Sequence, residues 1–130
     1  MEIMKRFIII DDDAINNFLT KMILKKSFDS VKVNDFKIPE DGLKFIESET
    51  SINESDGKTI VFLDINMPTI SGWDFLEAFE LLNPAIKEHY TIYILSSSVD
   101  PSDINRARTN PLVKGFLEKP LKKEVILKIC

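Results

Sequence analysis

Four polar stretches in this chain follow directly on short apolar runs. They are Asp11-Asp12-Asp13 after Phe7–Ile10, Asp64 after Ile60–Leu63, Ser96-Ser97-Ser98 after Thr91–Leu95, and Glu118-Lys119-Pro120 after Val113–Leu117. If the runs are strands that end on one edge of a parallel sheet, their terminal side chains converge. The cleft would then hold carboxylates from Asp11, Asp12 and Asp64, a hydroxyl from Ser96 and an ammonium from Lys119. Two carboxylates ~4 Å apart repel by about 4 kcal/mol at an effective dielectric of about 20. Such a cluster therefore keeps a proton or takes in a cation. An all-oxygen donor set suits Mg²⁺, which retains several waters and needs few protein ligands. A hydroxyl and a lysine beside a metal–carboxylate group point to phosphoryl chemistry, with Ser96 and Lys119 each able to take a phosphoryl oxygen. One carboxylate is then free to act as nucleophile, a role aspartate fills in covalent phosphoryl intermediates.

The elements that must position these groups alternate along the chain. Phe7–Ile10, rich in isoleucine, suits a strand covered on both faces. Beyond the three aspartates, Ile15, Phe18, Leu19, Met22 and Ile23 recur at the spacing of an amphipathic helix's apolar stripe. Val31 and Val33 alternate with polar neighbours, as in a half-exposed strand, and Pro39-Glu40-Asp41 opens a second helix with Leu43 and Ile46 inward. Ser71-Gly72 precedes a helix carrying Trp73, Phe75, Leu76, Phe79 and Leu82. Asp100-Pro101-Ser102-Asp103 starts another, which Asn110-Pro111 closes. The last helix is expected from Leu121, using Val125, Ile126 and Ile129, while Asn83–Tyr90 with its lone His89 reads as a surface loop. Five strands alternating with five helices imply an α/β fold: a parallel sheet with helices on both faces, binding its ligand beyond the carboxyl ends of the strands.

Composition bounds the function. The chain has 130 residues, 44% hydrophobic and 29% charged, which is one globular domain, expected to span 1–130 with no output domain. No apolar run is long enough to cross a bilayer, and the one after Lys5-Arg6 is too short for a signal peptide. The only cysteine, Cys130, excludes an intrachain disulfide and a cysteine-based zinc site. A net charge of −4 weighs against direct contact with nucleic acid. The lysines at Lys21–Lys26 and Lys119–Lys128 read as solvated helix faces. A cytoplasmic location is expected.

In order and at each strand end, Ile8-Ile9-Ile10-Asp11-Asp12-Asp13, Phe62-Leu63-Asp64-Ile65-Asn66-Met67-Pro68, Ile94-Leu95-Ser96-Ser97 and Gly115-Phe116-Leu117-Glu118-Lys119-Pro120 resemble the receiver domains of two-component response regulators. The resemblance runs from about Arg6 to Ile129 and includes Gly72. It implies a flavodoxin-like, doubly wound (βα)5 fold with strand order 2-1-3-4-5. It also implies that Asp64 is the phosphoacceptor, and that Mg²⁺ or Mn²⁺ is bound by Asp12 and Asp64, by the Asn66 main-chain carbonyl and, largely through water, by Asp11. Ser96 becomes the switch hydroxyl, Lys119 the lysine that pairs with the phosphoryl group, and Phe116 the rotating switch aromatic. A cis peptide before Pro120 is implied as well.

The function that follows is a phosphorylation-activated switch rather than a turnover enzyme. Its donor is a phosphohistidine on a sensor kinase or histidine phosphotransfer protein. Its output is a protein target met through the face of the fourth helix, fifth strand and fifth helix, and dimerisation is open to it. Two other readings compete. A Mg²⁺-dependent phosphatase of the haloacid dehalogenase type needs a second acid two residues after its nucleophile, where this chain has Asn66. A non-phosphorylated receiver used only for binding would usually lack the acidic pair, the acceptor or the lysine, and all are present here.

Overall fold

The backbone of β1 (Lys5–Ile10) pairs on one side with β2 (Val31–Phe36) and on the other with β3 (Thr59–Leu63). β4 (Tyr90–Ser96) and β5 (Val113–Glu118) continue the sheet, giving the order β2-β1-β3-β4-β5 with every pair parallel. The structure is a computed structural model and describes residues 5–48, 58–98 and 100–130. The central strands read as continuous apolar runs because both their faces are covered: Phe7 to Ile10 and Val61 to Leu63 are all buried. The outer strands keep exposed charges at Lys32, Asp35, Lys114 and Glu118, as strands at sheet edges do.

Alternate side chains of the central strands serve opposite layers. Ile8, Ile10, Val61, Leu63, Ile92 and Ile94 belong to a core closed by α2 (Pro39–Ser48), α3 (Gly72–Glu80) and α5 (Pro101–Thr109). Phe7, Ile9, Phe62, Tyr93 and Leu95 belong to a second core under α1 (Ala14–Ser27) and α6 (Lys123–Ile129). This is the doubly wound architecture expected. No described helix is long and apolar enough to cross a membrane.

Three local details differ from the sequence reading. The stretch after Asn83 forms a short helix, α4 (Pro84–Lys87), instead of a loop throughout. Its cause is local: the Asn83 side chain accepts from Ala85 N–H, and Pro84 pre-sets the first helical φ. The helices among the described residues therefore number six, and the fourth and fifth of the sequence reading are α5 and α6. α6 begins at Lys123, two residues later than expected, with Leu121 buried as an anchor ahead of it. The third difference is the phase of α1. Its cap at Asp13 sets Asn17, Thr20 and Leu24 against the sheet, leaving Ile15, Phe18, Leu19 and Met22 exposed at 70, 60, 52 and 37%. An apolar stripe ordinarily faces the core; of this one, Ile23 packs against the second core and the rest faces out.

Candidate functional site

Main-chain bonds at the sheet's carboxyl edge bring the predicted residues together. Asp11 N–H donates to the Phe36 carbonyl at 3.1 Å, Asp64 N–H to that of Ile10 at 2.9 Å, and Lys119 N–H to that of Ser96 at 2.9 Å. Each strand thus hands its terminal residue to the same rim. There the Lys119 ammonium donates to Asp11 Oδ2 at 2.6 Å and to Asp64 Oδ2 at 3.4 Å. One carboxylate oxygen from each of Asp11, Asp12 and Asp64 lies within 4.8 Å of the others. Asp11 and Asp64 are buried, at 3 and 7% exposure, and Asp12 is more open.

Three carboxylates share one ammonium, and the electrostatics register the deficit. Burial pushes the Asp64 carboxyl above the ordinary 3.8, and the Asp11 charge adds to the rise. The Asn66 N–H, which Asp64 Oδ1 accepts at 3.1 Å, and the Lys119 charge offset it only in part. Burial acts to lower the Lys119 pKa, yet its bonds and charge attraction to Asp11 and Asp64 outweigh that and leave it above 10.5. Lys119 is therefore a fixed cation. The surplus negative charge, the hard oxygen donors and the strained ionisation of Asp64 all fit a divalent cation of the Mg²⁺ kind.

The loops around these groups are held locally. Asp13 caps α1: its Oδ1 accepts from Ile15 N–H at 2.9 Å and Asn16 N–H at 3.4 Å. Asp11 Oδ1 accepts from Asp13 N–H at 2.9 Å, which folds the acidic triplet into a turn. After Asp64, the chain returns into α3 through a capping box between Ser71 and Asp74. A Cβ on Gly72 would stand 2.6 Å from the Asp64 carbonyl oxygen and 2.8 Å from Ile65 Cα. Only glycine lets α3 seat this closely on the Asp64 loop. Next along, Trp73 is 9% exposed and carries the Arg106 guanidinium of α5 at 4.6 Å from its ring centroid.

Ser96 is fully buried at the end of β4, where its hydroxyl oxygen accepts from Ser98 N–H at 3.1 Å. Phe116 stands opposite Ile94 on β5, half-buried against the core under α2, α3 and α5. The Lys119–Pro120 peptide is cis. The sequence reading passed over Asn17, whose side-chain amide donates to the Asp11 carbonyl at 2.9 Å. Its signal was an amide inside an otherwise helix-forming stretch six residues after Asp11. The outward strip of α1 was also missed; Leu19 and Thr20 of that helix line a cleft with Lys119 and Pro120.

The family model described as "response regulator receiver domain" matches residues 7–130. Among solved structures, a response regulator receiver protein from Dyadobacter fermentans aligns at a TM-score of 0.86 with 30% identity, covering 97% of this chain and 94% of that one. A two component response regulator from Cytophaga hutchinsonii aligns at 0.86 with 26% identity, covering 99% and 95%. The chemotaxis response regulator CheY4 of Vibrio cholerae shares the fold at a TM-score of 0.74 and 18% identity, over 97% and 95% of the two chains. No curated protein matches the chain.

Proposed function

The chain belongs to the response regulator receiver domain family, and from that membership we propose a phosphorylation-activated switch in which Asp64 accepts the phosphoryl group. Receiver domains act in phosphorylation-dependent two-component signalling and bind Mg²⁺ through an aspartate cluster. Lys119 carries the proposal here: its one ammonium bridges Asp11 and Asp64 in a cluster of three carboxylates.

An oxygen of Asp64 attacks the phosphorus of a phosphohistidine. The new O–P bond forms as the N–P bond breaks, and the imidazole leaves with the electron pair. Asp12, Asp64 and the Asn66 carbonyl would hold Mg²⁺ or Mn²⁺, with Asp11 acting through water; when bound, the ion supplies positive charge for the phosphoryl oxygens. Lys119 turns from the carboxylates onto the phosphoryl group, and the Ser96 hydroxyl donates to it. Drawing Ser96 forward opens space for Phe116 to turn inward, which remodels the surface of α5, β5 and α6 for a protein target. Moving such a switch from 1:99 to 99:1 takes about 5.5 kcal/mol of differential stabilisation. Two charge-assisted bonds to the phosphoryl group, from Lys119 and Ser96, supply a large part of that energy, and a bound ion would add to it. The donor, a sensor kinase or histidine phosphotransfer protein, reaches the site from the carboxyl edge, where the apolar strip of α1 offers it a surface. Loss of the phosphoryl group to water is self-catalysed, at a rate that in receiver domains the residues two beyond the acceptor and the switch hydroxyl, here Asn66 and Ser98, tune.

Intact mass after incubation with acetyl phosphate and Mg²⁺ tests the proposal. A labile gain of one phosphoryl group, absent in Asp64→Asn and in EDTA, is the expected result. A chain that takes up neither phosphoryl nor Mg²⁺-dependent beryllofluoride is not a phosphorylated switch.

A further inference from the structure

Asn17 lies on the buried face of α1, 1% exposed, where the other inward residues include Thr20 and Leu24. A buried amide is costly unless bonded, and only half of this one is. Nδ2 donates to the Asp11 carbonyl, whereas Oδ1 has no hydrogen-bond partner among the described residues. A leucine of similar size would fill the space without an orphaned acceptor, so what the asparagine provides is the bond to Asp11. That bond falls where the sheet lets go of the chain. The paired register of β1 ends at Ile10, and the carbonyl of Asp11 beyond it is held by a side chain of the following helix.

The anchored peptide joins Asp11 to Asp12, so its plane sets the direction in which the Asp12 side chain leaves the backbone. The Asp11 carboxylate is already restrained at both oxygens, by Asp13 N–H and by Lys119. For Asp12, whose side chain makes no hydrogen bond among the described residues, the anchor on the preceding peptide acts together with the Asp11–Asp13 turn that spans it. We propose that Asn17 is a positioning residue for the cation site, pinning the Asp11–Asp12 peptide so that the Asp12 carboxylate stands beside those of Asp11 and Asp64. This deepens the function proposed above and rests on it. The pinning acts before any cation is bound, and so lowers the cost of assembling the donors.

Calorimetric titration with Mg²⁺ and electron paramagnetic resonance of Mn²⁺ binding test it on wild type, Asn17→Leu, Asn17→Ala and Leu24→Ala, beside thermal melts without metal. Asn17→Leu should bind Mg²⁺ about tenfold more weakly, as loss of a group that orients metal ligands does, with a metal-free melting temperature no lower than wild type. Leu24→Ala, on the same buried face, should melt earlier and bind Mg²⁺ as wild type does. If leucine does not fit, Asn17→Ala makes the same test. A folded Asn17 variant with affinity within about twofold of wild type sinks the proposal alone. A wild type that binds neither ion sinks it together with the function it rests on.

Discussion

Two helices leave the carboxyl edge of the sheet directly after residues of the site, and they treat their apolar side chains in opposite ways. α3 follows the Asp64 loop and buries Trp73, Phe75, Leu76 and Phe79 in the core of its layer. α1 follows Asp11–Asp13, buries Asn17, Thr20 and Leu24, and turns Ile15, Phe18, Leu19 and Met22 to the outside. The first helix stabilises the fold with its apolar face. The second places an amide in the core, where it meets the site, and leaves its apolar strip exposed. Contiguous exposed apolar residues on a monomer mark interaction surfaces, and this strip runs to the cleft beside Lys119.

Truncating an aromatic ring in each helix gives the widest separation. Phe75, fully buried, should cost about 3–5 kcal/mol as Phe75→Ala, read as a fall in the urea midpoint at unchanged slope. If it costs under about 1 kcal/mol, the inward face of α3 is not the core element described. Gly72→Ala comes next. Its new Cβ meets backbone atoms of Asp64 and Ile65, which cannot swing aside as a side-chain tip can. Overpacking of this kind costs about 1–3 kcal/mol, and here the displaced backbone carries Asp64, the proposed phosphoacceptor. Uptake from acetyl phosphate should slow in the same variant, and an unaltered rate in a destabilised Gly72→Ala would show that α3 and the Asp64 loop move independently.

The contrast also shows how far the residues alone can take the reading. The strand order came only with the resemblance to receiver domains, whereas the convergence of Asp11, Asp12, Asp64 and Lys119 was legible from short-range pattern. An apolar run stops at a polar residue, and a parallel sheet carries every such stop to one edge. The face that α1 buries was not legible. Periodicity establishes that a stripe exists, but the helix phase relative to the sheet is set by the cap at Asp13 and by the bond from Asn17 to a strand-end carbonyl. The cap is local, and the bond from Asn17 depends on how α1 seats against the sheet. The α4 turn was missed for a smaller reason: at Pro84–Lys87 it has four residues, too few for periodicity to show, and only its Asn-Pro start was available.

Phe18→Ala is the variant with the smallest expected effect on stability and the sharpest bearing on what α1 is for. At 60% exposure its ring makes little of the core, so unfolding free energy should stay within about 0.5 kcal/mol of wild type. Acetyl phosphate needs no docking surface and should phosphorylate the variant at the wild-type rate. A protein donor does need one, and truncating a buried aromatic anchor at an interface typically costs more than about 1 kcal/mol. Transfer from a phosphohistidine protein at concentrations below saturation should therefore slow by about tenfold, the equivalent of ~1.4 kcal/mol. Equal slowing with acetyl phosphate would mean that Phe18 acts through the shape of the site. No slowing with either donor would leave the strip for the output partner, and α1 would then differ from α3 in the partner it serves rather than in how phosphoryl groups arrive.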